Sequence, residues 1–176
     1  MRSVSVVRAA LIVACAAVLE VVVGPYLTFG WISPKFMIFG VVFAVLGMRQ
    51  MQALLLGFFA GILFDAFGGG LFGIGSLAGL LAATLAVRAD AAGRRGARRF
   101  VMAQVVALSV AAYDVVNFFG TSFAGLEAPP FAEYLFFGII PDALANGILA
   151  YLIGGLFLRA GRSGRTSSMN KVRSSR

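Results

Sequence analysis

The hydrophobic pattern of the chain is set by one stretch, Met51 to Val87, in which 37 residues contain a single charged side chain, Asp65. A helix rises about 1.5 Å per residue, so roughly 20 residues cross a 30 Å hydrocarbon core. The stretch is too long for one crossing and suits two. Gly68-Gly69-Gly70 is the natural break, because glycine adopts turn conformations without steric cost. Asp65 then falls on the last turn of the first helix of a hairpin.

The same reading applied along the chain predicts six helices, at about 9–29, 35–49, 51–67, 71–88, 100–120 and 134–158. Gly24-Pro25 with Tyr26, Phe29 and Trp31 marks the end of the first, since tyrosine and tryptophan favour the headgroup level. Ile12-Val13-Ala14-Cys15 loosely matches a lipoprotein cleavage box, but the apolar run continues past Cys15 to Val23, so a span is the better reading than a cleaved signal. Pro34 and Lys35 open the second segment, whose apolar core from Phe36 to Met48 is short for a crossing; Lys35 is expected to snorkel. Residues 1–160 form one transmembrane domain on this reading, and 161–176 a basic tail expected to be disordered or to lie on an anionic membrane surface.

Composition supports a polytopic membrane protein. Hydrophobic residues make up 60% of the 176 and charged residues 12%, where an ordinary soluble domain carries about 25% charged. The formal charge of +8 would suggest nucleic acid in a soluble protein, but here topology explains it better and no nucleic-acid partner is expected. With six spans, one side of the membrane receives Arg2, Arg8, Arg49, the five arginines of residues 88–99 and every basic residue from Arg159 onward. Only Lys35 is left on the other. By the positive-inside rule both termini are cytoplasmic.

Histidine is absent and Cys15 is the sole cysteine, which removes internal disulfides, His-bearing zinc sites and Cys/His nucleophile pairs. No P-loop, GxSxG or HExxH is present, and no oxygen-ligand spacing for a metal is recognisable, so neither catalysis nor a cofactor is expected. The chemistry that remains lies in polar residues inside apolar helices. Gly57, Gly61 and Asp65 follow one another at four-residue steps and share a helix face, and Gly75-x-x-x-Gly79 repeats the small-residue spacing in the next helix. A tight hairpin whose carboxylate accepts backbone N–H groups is the structural reading of Asp65; a proton or ion site is the functional one. Asp114 with Asn117, and Asp142 with Asn146, each share a face, and Gln104 lies near that of Asp114. Glu20 should face other helices or the interface. In this topology Asp65, Asp114 and Asp142 all fall in the outer half. Interhelical hydrogen bonding and a transport site are the two readings of that coincidence.

Pro34-Lys-Phe-Met-Ile-Phe, followed by Gly57-Phe-Phe-Ala-Gly61-Ile-Leu-Phe-Asp65-Ala-Phe-Gly-Gly-Gly-Leu-Phe-Gly73, resembles the MreD family of rod shape-determining proteins. The shared features are a proline opening the second helix, a GxxxGxxxD run, and a glycine-rich turn ending in a step such as Phe72-Gly73. Ala143-Leu-Ala-Asn146-Gly-Ile-Leu-Ala is similar to the family's last helix, and Asp114 fits an acidic residue late in the fifth. The basic tail and Pro141-Asp142 match no pattern of the family that we recognise. The resemblance implies a non-enzymatic multi-pass protein of the bacterial inner membrane, part of the elongasome that makes peptidoglycan. Its implied partners are an MreC-like protein, MreB, and RodA with its transpeptidase. It also implies an all-α fold similar to the substrate-binding S components of energy-coupling-factor transporters. The alternative is therefore an S-type subunit that binds a vitamin in an outward pocket lined by groups such as Trp31, Asp65, Asp114 and Asn117.

Overall fold

The computed structural model describes residues 6–30, 32–68, 71–91, 98–127 and 129–154. Trp31, the glycines at 69 and 70, most of the arginine-rich loop and the basic tail lie outside the described residues. Among these residues the chain is all-helical, with one isolated bridge between Phe29 and Ile32 in place of any strand. Six helices follow one another: α1 (Val6–Val22), α2 (Phe36–Ala44), α3 (Gln50–Gly68), α4 (Ile74–Ala91), α5 (Arg98–Phe123) and α6 (Phe131–Gly154). The last four are long and apolar enough to cross a membrane by length and composition.

Helix α1 stops at Val22, short of the expected 29, and Gly24–Leu27 continue as a 3₁₀ turn. Pro25 in that turn lacks an N–H and disfavours helical geometry in the residue before it, which is why the helix ends here. The chain reverses at Gly30, whose φ of 61° suits glycine, and re-enters the bundle.

Helix α2 is the element whose role the hydrophobic pattern obscured. It has nine residues and rises only about 13 Å, less than half a bilayer core. Met37, Ile38, Phe39, Gly40, Val41, Val42 and Ala44 are all buried. A helix that is apolar on all sides belongs in the interior, and α2 indeed packs against α1, α3, α4 and α5. Because neighbours cover it, its length need not match the lipid. It ends in a turn at Gly47, φ 78°, where the Gly47 N–H donates to Asp90 Oδ2 of α4 at 3.0 Å.

Around α2 the core is built from small side chains: Val41, Val42 and Val45, Val105, Val106 and Val110 of α5, and Ala82, Ala83 and Ala86 of α4. The large ones point outward. Phe58, Phe59, Phe67, Phe136, Phe137, Leu144 and Ile148 are exposed on the bundle surface, an arrangement suited to lipid rather than water.

The two long C-terminal helices have well-defined ends. At the close of α5 the Leu126 N–H bonds Thr121 O and the Gly125 N–H bonds Ser122 O, with Gly125 at φ 73°, a Schellman motif. In α6 the first turns open into a π-helical segment, Leu135–Ile139, where the Ile140 N–H reaches back to Leu135 O. Pro141 follows immediately. Its missing N–H breaks the ordinary ladder, and a wider turn is one way to absorb that break.

Candidate functional site

Two polar centres lie at the same end of the bundle. The first is Asp65. Helix α4 begins at Ile74, so Gly73 occupies the N-cap position and has no side chain to satisfy the first-turn N–H groups. Asp65 supplies what Gly73 lacks. Its Oδ2 accepts the N–H groups of Gly73 at 2.9 Å and Ser76 at 3.1 Å and the Ser76 hydroxyl at 3.0 Å, while Oδ1 accepts the Gly75 N–H at 2.7 Å. The carboxylate also sits at the positive end of the α4 dipole.

This contact requires α3 and α4 to approach closely, and the glycines make that possible. A methyl group added to Gly57 would fall on the carbonyl oxygen of Gly79, and one on Gly61 on that of Gly75. One on Gly75 would stand 2.6 Å from Asp65 Oδ1. Gly73 itself adopts φ 104°, a conformation that L side chains rarely take. Gly57, Gly61, Asp65 and Gly73 thus act as one device, which holds the hairpin shut.

The second centre joins the loop before α2 to α5 and α6. Asp142 and Asn146, each 1% exposed, stand one turn apart on α6. Asp142 Oδ1 accepts hydrogen bonds from the Ser33 N–H at 2.7 Å and from Asn146 Nδ2 at 3.1 Å. Asn146 Oδ1 accepts the Lys35 N–H at 2.8 Å, and its Nδ2 donates to Ser33 O at 3.0 Å and to Asp142 O at 2.9 Å. Together they pair with the backbone of the extended stretch Ser33–Lys35, whose groups no helix would otherwise satisfy.

Lys35 does not snorkel. Its side chain turns into the bundle, with Nζ 3.4 Å from Asp142 Oδ2, 3.9 Å from Asp114 Oδ1 and 5.4 Å from the centre of the Tyr113 ring. Salt-bridge and cation–π contacts in a site this dry outweigh the reach to solvent. From α1, Glu20 turns inward as well and accepts the Met37 N–H at 3.1 Å, at the start of α2.

Of the predicted polar residues, Asp114, Asp142 and Asn146 therefore meet around Lys35. Asp65 belongs to its own centre, connected through Phe64, whose ring stands edge-on to Tyr113 with centroids 6.0 Å apart. Asn117 lies farther along α5 and pairs with the Tyr134 side chain. Gln104 is exposed and joins neither centre. Sequence reasoning overlooked Lys35, Ser33 and Tyr113 as members of the cluster. The single basic residue on the otherwise acidic side of the topology was the available signal.

Among the described residues no group of three or more acidic or cysteine side chains is arranged to hold a metal. A cavity of about 10 Å³ lies between Glu20, Lys35, Phe64, Gly75 and Tyr113, room for about one water. Chemically, the arrangement offers carboxylates that cap backbone and pair with one cation, with the Ser76 hydroxyl donating to Asp65 and Lys35 Nζ to Ser33 Oγ.

No curated protein and no solved structure matches the chain. The family model described as rod shape-determining protein MreD matches residues 1–159, and the chain belongs to that family.

Proposed function

From that membership we propose that this protein is an inner-membrane scaffold of the bacterial cell-elongation machinery, which binds an MreC-like partner and helps to position peptidoglycan synthesis. Its family is a shape-determining one, not a known enzyme family, and the helices give it a multi-pass membrane character. On our reading the six helices place both termini in the cytoplasm, and the centres at Asp65 and Lys35 face the outer half of the bilayer. The wider complex then includes MreB, RodA and its transpeptidase.

The observation that carries the reading is the family match over residues 1–159. The closure of the polar centres supports it. Every donor of the α4 N-terminus that reaches Asp65 is satisfied from within the chain, and the space beside Lys35 has the size of one water. Such a site holds helices together, and a cavity of this size beside Lys35 does not hold a vitamin, which supports the scaffold reading over the S-type transporter subunit, whose fold we nonetheless expect this bundle to resemble.

The test is isolation from membranes in mild detergent with a tag on this chain. Recovery of an MreC-like protein, together with loss of rod shape on deletion, is expected. Recovery as a lone monomer with normal cell shape after deletion would refute the scaffold, and saturable binding of a vitamin by the purified chain would establish the alternative.

A further inference from the structure

Three carboxyl groups and one ammonium share the second centre, so full ionisation would leave a buried excess of negative charge. Asp142 is the better supplied of the carboxyl groups. Two hydrogen bonds reach its Oδ1, and Lys35 Nζ stands 3.4 Å from Oδ2. Glu20 has the Met37 N–H. Asp114 has almost nothing: it is 5% exposed, its Oδ1 is 3.9 Å from a Lys35 ammonium already closer to Asp142, and its Oδ2 has no hydrogen-bond partner. Among the described residues the other buried side-chain oxygen left without a hydrogen bond is Oδ2 of Asp142, and the two carboxyl groups flank the same ammonium, at 3.9 Å and 3.4 Å from Lys35 Nζ. Two buried carboxylate oxygens beside one ammonium thus lack a hydrogen bond.

The geometry points to a proton-binding site in which Asp114 and Asp142 hold one proton between them, carried on Asp114 and donated to Asp142, with Lys35 as the counter-charge. A proton on Asp114 Oδ2 turns an unpaired acceptor into a donor and satisfies both orphans in one step. It also removes a second buried anion from a low-dielectric site, where an unpaired charge is costly. A metal cation fits less well, since Ca²⁺ takes six to eight oxygen ligands and the Lys35 ammonium already stands 3.4 Å and 3.9 Å from the two carboxylates. The charged and titratable groups around Asp114 are Lys35 from the loop before α2, Tyr113 on α5 itself, and Tyr134 and Asp142 from α6, while Glu20 from α1 and Asp65 from α3 bear on the neighbouring Tyr113. Helix α2 carries no titratable side chain, and Asp65 is saturated by its own four donors. Lys35 is the lone cation of the set. The shared proton ties α5 to α6, and its release leaves two like charges that only entering water or separated helices can accommodate.

Infrared spectroscopy of the full-length protein in nanodiscs of phosphatidylethanolamine and phosphatidylglycerol tests this. With aspartate carboxyl groups labelled with heavy carbon, the proposal expects a protonated-carboxyl band at neutral pH that carries the aspartate isotope shift. The band should be lost in Asp114→Asn and in Asp142→Asn and kept in Glu127→Gln. Absence of the band from the wild type, or its persistence in Asp114→Asn, overturns the proposal. Its disappearance on adding sodium at constant pH also overturns it, and makes the site a cation site. Should neither aspartate variant fold, the labelled wild type decides alone: a band lost on raising the pH supports the proton, and no band refutes it.

Discussion

Replacing Asp65 by alanine removes one acceptor and strands four donors: the N–H groups of Gly73, Gly75 and Ser76 and the Ser76 hydroxyl. Hydrogen bonds to a charged group contribute about 1.5–3 kcal/mol each. Their plain sum overshoots, because the Ser76 hydroxyl can rotate to another acceptor and the bonds share one carboxylate. A better scale comes from adding the loss of an N-cap, about 0.5–2 kcal/mol, to the loss of an anion at a partly buried helix N-terminus, up to about 2 kcal/mol. The 8% exposure of Asp65 means that water cannot take over easily, which pushes the outcome to the upper end. We expect a loss of about 4 kcal/mol, near a thousandfold in the folding equilibrium.

Asp65→Asn should lose about half as much, since its oxygen still accepts some of these bonds while its amide turns N–H groups towards other donors. Glu127→Ala, at an exposed loop position, should stay within about 0.5 kcal/mol of the wild type. Reversible unfolding in mixed detergent micelles, followed by tryptophan fluorescence and by retained monodisperse elution, gives all three values. Equal losses for Asp65→Ala and Glu127→Ala would refute the placement of Asp65 as the cap of α4. A loss in Asp65→Asn as large as in Asp65→Ala would refute the division between charge and acceptor.

Three further outcomes are expected. Gly57→Leu drives a side chain into the Gly79 carbonyl and should abolish folded yield on size exclusion, whereas Gly24→Ala, with nothing within 4 Å of the added methyl, should elute as the wild type does. Asn146→Ala leaves the Lys35 N–H and Ser33 O unpaired and should cost about 1–3 kcal/mol by the same unfolding assay; a neutral result would mean that water or movement of the loop satisfies them. Lys35→Met leaves Asp142 buried without its cation and should cost about 3–5 kcal/mol, with Lys35→Met/Asp142→Asn more stable than the single Lys35 variant; additive losses in that cycle would show that the two side chains do not couple.

What the sequence disclosed and what it hid follow from the range of the interactions. The α3–α4 hairpin was legible because its determinants are local: Gly57, Gly61 and Asp65 repeat at a helical spacing, and Asp65 meets Ser76 only eleven residues on. The all-helical class was equally legible, since it depends on hydropathy summed over long windows. The role of α2 was hidden, because a short apolar run reads the same whether lipid or protein surrounds it, and only the packing of four other helices shows that it is central. The Lys35 cluster was hidden for a different reason. Ser33 and Lys35 meet Asp142 and Asn146 across separations of 109 and 111 residues, and no periodicity reports a contact at that range. Charge did leave a trace: in the topology expected from the sequence, one cation shared the outer side with Asp65, Asp114 and Asp142. Snorkelling was the default for a lysine at a helix end. It loses here because two buried carboxylates offer the ammonium a closer partner than the interface does, so the count of unpaired acids on each side deserves as much weight as the count of bases.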